Sequence, residues 1–262
     1  MFVRARDDGL IDMSAKIAFY AFLSLFPLIL VLFALAGIFG GAAAFEWTMS
    51  QLQSIMPSEA AGYVGTFVYD VTNVERPDVL SVSLVFLLFS ASGAVVSLID
   101  SFNVIFAIAE SRPLWRKYLV AIGSIVLTAV FYLVGLPAVL AGPELLEAAG
   151  VGWIWTRLHW PLVFALLTTI LWLAYLRLPN HQRRIPSHLT LLVGALVATG
   201  LWALVTQGLQ LYVVNFKRFA SLYGVVTGIL VTLIWLQLSA LAVLFGAQVA
   251  AALGQRVERR QT

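Results

Sequence analysis

The amino-acid sequence predicts an all-α polytopic membrane protein with six transmembrane helices, both termini cytoplasmic, and short amphipathic helices in the first outer loop. Three observations carry that expectation. Of the 262 residues 61% are hydrophobic and 11% charged, and the mean hydropathy is +0.94. Soluble domains average about 25% charged residues, so the charges here are too few to solvate a water-soluble surface, and lipid must be the main solvent. Six apolar stretches, at 17–39, 79–99, 118–142, 160–176, 189–209 and 225–253, meet the roughly 20 residues needed to cross a bilayer. The basic residues are also unequally shared. With six spans, one side holds Arg4, Arg6, Lys16, Arg112, Arg116, Lys117, Arg177, Arg183, Arg184, Arg256, Arg259 and Arg260, and the other holds Arg76, Arg157, Lys217 and Arg218. The richer side is cytoplasmic by the positive-inside rule, and it carries both termini. No low-complexity tract or linker divides the chain, so 1–262 is expected to be a single six-span domain. There is no cysteine, which rules out disulfides and thiolate metal sites.

The first span holds two residues foreign to an apolar run, Lys16 and Pro27. With Tyr20 and Ser24 they are spaced to share one helix face. Pro27 removes a backbone hydrogen bond near mid-membrane, and Ser24 is placed to help re-satisfy the freed carbonyl. Ala42-Ala43-Ala44 followed by Phe45 resembles a signal-peptidase site, but the preceding apolar run exceeds the roughly 7–15 residues of a signal core. The long outer loop at 41–78 is acidic and has helical apolar spacing at 47–56 and 63–71, as surface-lying helices would. They serve either as a cap over the bundle or as a binding surface.

The second span answers the first with Ser83, Ser90, Gly93, Ser97, Asp100 and Asn103 on one side. The two spans run in opposite directions, so Lys16 and Asp100 lie at similar depth. Either they pair, or Lys16 snorkels to the interface. Gly135-Leu136-Pro137 makes a weak point in the third span. Thr168, Thr169, Trp172 and Tyr175 mark a polar-aromatic side of the fourth, which follows an aromatic cluster of Trp153, Trp155 and Trp160. The fifth has a stripe of Thr199, Trp202, Thr206 and Gln210. The sixth opens with Gly224 and Gly228, spaced for close helix packing, and carries Gln237 and Gln248. The candidate polar cleft is therefore Lys16, Tyr20, Ser24, Pro27, Ser90, Ser97, Asp100, Asn103 and Gln248.

On the outer side, Lys217 and Arg218 are framed by aromatics that include Tyr212 and Tyr223. Such a cationic, aromatic-bordered site suits an anionic headgroup, and interfacial anchoring is the plainer use. No catalytic, cofactor or metal site is expected. The three histidines fall on opposite sides of the membrane, no acid–base carboxylate pair lies within it, and hydrolase, nucleotide and zinc motifs are missing from the sequence. Phe26-Pro27-Leu28 and Trp160-Pro161-Leu162 faintly echo each other across two three-span halves, with the second proline at a helix start.

Several segments together resemble the YihY / virulence factor BrkB family of bacterial inner-membrane proteins, over nearly the whole chain. They are IAFYAFLSLFPLIL, FSASGAVVSLIDSFNVIF, ESRPLWRKYLVA, LRLPNHQRR and YGVVTGILVTLIWLQLSALAVLFGAQVAAAL. The resemblance implies six spans with cytoplasmic termini in the bacterial inner membrane. It also implies a link to serum resistance, to lipopolysaccharide or phospholipid traffic, or to unassigned transport. The family was once labelled ribonuclease BN, a name now attached to an unrelated soluble metal-dependent enzyme. The chain departs from the family pattern in three places: Phe89 replaces a common Trp, Val225 and Val226 alter a glycine turn, and Gln248 stands where Glu is usual. The last removes a protonatable group from the membrane. The expected function is non-enzymatic handling or export of a lipid or lipid-like envelope component, without cofactor. Membrane lipid and a periplasmic lipid-transfer protein are the expected partners, and nucleic acid is not. A small-solute transporter or channel, or a membrane scaffold, is the alternative.

Overall fold

The computed structural model describes residues 9–25, 27–28, 77–127, 152–180, 186–215 and 225–261. Among these the regular elements are helices: α1 (10–25), α2 (Pro77–Ile105), α3 (114–127), α4 (Gly152–Arg177), α5 (His188–Asn215) and α6 (Val225–Gln261). Four contain apolar segments long enough to cross a membrane: Leu84–Ile105, Trp160–Arg177, His188–Tyr212 and Gly228–Gln255. α1 begins seven residues before the first predicted span and α3 four residues before the third. The rest of those two spans, the outer-loop helices and Gly135–Pro137 lie outside the described residues. The 28-residue segment in α6 would extend about 42 Å at 1.5 Å per residue, so it must tilt in a hydrocarbon layer about 30 Å thick.

The chain forms two compact units, one of Met1–Phe19 with Ser92–Thr262 and one of Tyr20–Ala91. In the first, the core gathers at one end, where α1 and α5 begin and α2 and α4 finish. Leu10 and Ile17 from α1, Ile99 and Phe102 from α2, Leu171 and Tyr175 from α4, Leu191 from α5 and Leu244 from α6 belong to one buried cluster. Further along α5 and α6 the apolar side chains of Leu204, Leu211, Leu230 and Ile234 are exposed.

Lipid tails are as apolar as leucine, so burial alone does not hold membrane helices together. Close backbone packing and interhelical hydrogen bonds do. Both occur at the packed end. A Cβ added to Gly246 would stand 2.5 Å from the Gly194 carbonyl oxygen and 2.6 Å from Ala198 Cβ, and one on Gly194 would stand 2.5 Å from the Gly246 carbonyl oxygen. Gly194 and Ala198 on α5 thus face Gly246 and Ala250 on α6, two small-xxx-small pairs in contact. Gly228, predicted to serve helix packing, has open space around it, and Gly224 lies outside the described residues. A glycine pair promotes close packing only where the partner backbone arrives, and here the helices meet about five turns further along α6.

The helix starts follow local chemistry. Ser187 caps α5, with its hydroxyl oxygen accepting from the Thr190 N–H at 3.4 Å. Gly9, at φ +64°, precedes α1 and its carbonyl accepts from the Met13 N–H at 3.1 Å. α4 begins at Gly152, eight residues before the predicted span, so Pro161 lies inside the helix rather than at its start. Helicity is not limited to the hydrocarbon: the Trp-rich interfacial segment continues it, and the proline removes one hydrogen bond without ending it.

Candidate functional site

α2 ends in a Schellman turn. The Ile108 N–H reaches back to the Asn103 carbonyl at 2.8 Å and the Ala107 N–H to the Val104 carbonyl at 3.1 Å, with Ala107 at φ +53° in the left-handed position that glycine usually takes. This reversal sends the connecting segment, 106–113, back over the packed end and places its polar side chains against the finish of α4.

Asn103 is the centre of what forms there. It is buried, and its Nδ2 donates to Glu110 Oε2 at 2.7 Å, while its Oδ1 accepts from the Asn180 backbone N–H at 2.9 Å. The Asn180 side chain donates to the Ala109 carbonyl at 3.1 Å and to Ser111 Oγ at 2.9 Å. Arg112 holds Glu110 through two bonds to Oε1, from its backbone N–H and from Nε, both 2.9 Å. Its Nη2 donates to Glu110 Oε2 at 2.8 Å and to the Leu178 carbonyl at 3.0 Å. The Arg112 side chain thereby drives the Glu110 carboxyl down to about 2, against the opposing effect of partial burial and with help from the Asn103 donor. The network joins α2, its following loop and the α4 terminus, with the polar ends of Asn103, Glu110 and Arg112 engaged.

Beside it, Lys117 at the start of α3 forms an ion pair with Asp100 on α2. The expected alternative partner, Lys16, is exposed on α1. The reason is burial. Lys117 is almost fully enclosed and requires an anion, whereas an exposed lysine near a helix end is solvated by extending to the interface.

The remaining candidate cleft residues behave individually. Ser97 is buried and its hydroxyl donates to the Gly93 carbonyl at 2.7 Å; Ser101 does the same to Ser97. In the second unit, Ser90 donates to the Phe86 carbonyl at 2.7 Å and Ser24 to the Ala21 carbonyl at 2.7 Å. Ser24 therefore does not cover the Leu23 carbonyl that Pro27 frees, because a serine hydroxyl on a helix reaches back three or four residues and not one. Tyr20 is partly buried and Pro27 is buried. Gln248 is buried in α6, flanked in sequence by the core residues Ala247 and Ala250. Of the outer candidates Tyr212 is exposed, while Lys217, Arg218 and Tyr223 lie outside the described residues. Of the candidates, the structure thus places Asp100 and Asn103, one turn apart on α2, among Glu110, Arg112, Lys117 and Asn180. The signal for these four was present in ESRPLWRK and LRLPN: an acid and a base two apart in a proline-containing turn, and an asparagine just past a helix end.

Part of the polar stripes of α4 and α5 is used between helices, while Thr169 donates to the Ala165 carbonyl of its own helix and Gln210 is exposed. Thr168 donates to Thr199 at 3.1 Å, Trp235 Nε1 to Thr206 at 3.2 Å, and Tyr175 to the Val243 carbonyl at 2.6 Å. Tyr175 also meets Phe102 edge to face at 5.2 Å. Among the described residues no group of three or more His, Asp or Glu is placed to hold a metal ion.

The model of the family described as virulence factor BrkB matches residues 1–262. A UPF0761 membrane protein of Aeromonas salmonicida is 28% identical over 265 residues, covering 96% of this chain and 87% of the relative. The protein named putative ribonuclease-like protein YfkH of Bacillus subtilis is 25% identical over 254 residues, covering 93% and 90%. The UPF0761 membrane protein VV0203 of Vibrio vulnificus is 26% identical over 269 residues, covering 100% and 83%. No solved structure matches. A helical chain with four membrane-length apolar segments, matched from its first residue to its last, belongs to the virulence factor BrkB family of membrane proteins.

Proposed function

We propose that this protein moves or hands over a lipid or lipid-like envelope component in the bacterial inner membrane, without catalysing a reaction, through six spans with both termini cytoplasmic. The supporting observation is how the polar groups of the spans are used. Thr168, Thr199, Thr206, Tyr175 and Trp235 bond to one another or to helix carbonyls, and the exposed side chains further along α5 and α6 include Leu204, Leu211, Leu230 and Ile234, with Gln207 and Gln210 as polar exceptions on α5. An aqueous solute path needs polar groups facing the path, whereas an acyl chain needs apolar faces between helices that are less tightly joined at one end. Lys217 and Arg218 would meet the headgroup on the opposite side from the packed end, where a periplasmic lipid-transfer protein would receive the cargo.

The test is transfer of a fluorescent phospholipid from proteoliposomes to acceptor vesicles, beside the lipid composition of cells carrying Lys217→Glu with Arg218→Glu. Transfer above protein-free vesicles, and an altered envelope composition in a variant that still inserts, are expected. No transfer with an unchanged composition would refute the proposal, and release of a trapped polar dye in the same vesicles would point to a solute pathway.

A further inference from the structure

Three cations sit within six residues at the start of α3, and two of them are committed. Arg112 is bound to Glu110 and Lys117 to Asp100. Arg116 has neither a carboxylate nor a carbonyl partner among the described residues; its guanidinium lies 5.3 Å from the centre of the Trp115 ring, and it is exposed. Below this pair runs an apolar ridge. Trp115, Leu119 and Val126 share the outward face of α3, at 59%, 57% and 53% exposure. Gly123 lies on the same side with open space where a Cβ would stand, leaving a notch in the ridge. The opposite face of α3, with Lys117 and Ala121, is buried.

We propose that the start of α3 is a binding site for one anionic phospholipid of the leaflet at the packed, basic end. Arg116 takes the phosphate and the acyl chain follows Trp115, Leu119 and Val126 past the Gly123 notch. The arrangement fits an amphiphile in both respects. A guanidinium offers a planar set of donors to phosphate, and stacking on Trp115 holds it at the interface without neutralising it. Glu110 and Asp100 are already paired with other cations, so no carboxylate among the described residues complements Arg116, and a lipid phosphate would. An apolar ridge without the cation would accept any lipid, and the cation without the ridge would accept free phosphate. Their combination selects an anionic lipid. This site involves neither Lys217 nor Arg218 and needs no lipid movement, so it goes beyond the proposed function and survives its failure.

The test is native mass spectrometry of the full chain from micelles doped with phosphatidylglycerol or phosphatidylcholine. Wild type is expected to retain one phosphatidylglycerol and to discriminate against phosphatidylcholine. Arg116→Gln should weaken that retention about five-fold, the effect of losing about one basic contact at a membrane surface. Arg116→Lys should fall between, Trp115→Leu should weaken binding while preserving the ridge, and Lys16→Gln should match wild type. Equal retention of phosphatidylglycerol by Arg116→Gln, equal retention of the two lipids by wild type, or displacement of the lipid by inorganic phosphate would each overturn the proposal.

Discussion

Ala107 occupies a backbone conformation that an alanine pays for. Its φ of +53° is required by the turn that ends α2, and the left-handed region disfavours a residue with a Cβ by about 1–2 kcal/mol. Ala107→Gly should therefore raise stability, by about 0.5–1 kcal/mol after allowing for the freer unfolded chain, read as a higher thermal midpoint in detergent. Arg112 is the opposite case. Removing it as Arg112→Ala leaves the Leu178 carbonyl without its guanidinium donor and Glu110 with only the Asn103 amide and the backbone N–H of residue 112, and a loss of about 2 kcal/mol is expected for charge-assisted bonds of this kind. The pH dependence has a definite sign. Glu110 ionises at about 2 in the folded protein against an ordinary 4.5, so its contribution is complete above about pH 4.5 and is lost as the pH falls toward 2. Thermal midpoints followed across that window should drop more steeply for wild type than for Arg112→Gln. The pairing of Arg112 with Glu110 is not among the contacts expected from the sequence, although the two stand only two residues apart; that they would seize Asn103 and the α4 terminus was less legible still, because those contacts depend on the turn at Ala107, where the sequence offers no glycine to announce it.

Among the helices, the contact of α5 with α6 gives a paired prediction. Gly246→Ala drives a methyl group against the backbone of Gly194 and the side chain of Ala198. Backbone cannot step aside as a flexible side chain can, so the helices must separate, at about 1–3 kcal/mol. Gly228→Ala meets open space and should be neutral or stabilising by up to about 1 kcal/mol, from helix propensity. Unfolding in graded denaturing detergent separates the two, and equal losses would refute a crossing at Gly194 and Gly246. The helices themselves were legible, since apolar runs of this length have few alternatives. Their contact was harder to see. α5 and α6 are apolar nearly all round, so periodicity could not orient them, and small residues occur at many positions. The polar stripe on α5 was the better guide, as Thr199 and Thr206 do bond to neighbouring helices.

In the whole molecule, the order of the chain matters as much as its final contacts. α2 finishes with Asp100 and Asn103, polar groups whose partners are all made later: Glu110 is seven residues on, Lys117 seventeen, and Asn180 seventy-seven. At about 5–20 residues per second, Glu110 and Lys117 emerge within about 3 s of α2 and Asn180 roughly 4–15 s after it. A nascent chain therefore closes the acidic and basic pairs first and waits for α4 before the last acceptor of Asn103 is covered. During that interval the Asn103 side-chain oxygen at the finish of α2 lacks the donor that Asn180 later supplies. A chain stopped before Asn180 should carry the helix but not the seal, and pulse-chase should show it degraded sooner than one stopped just beyond α4. The same asparagine that fastens the packed end thus also dates the molecule, separating a half-made copy from a complete one.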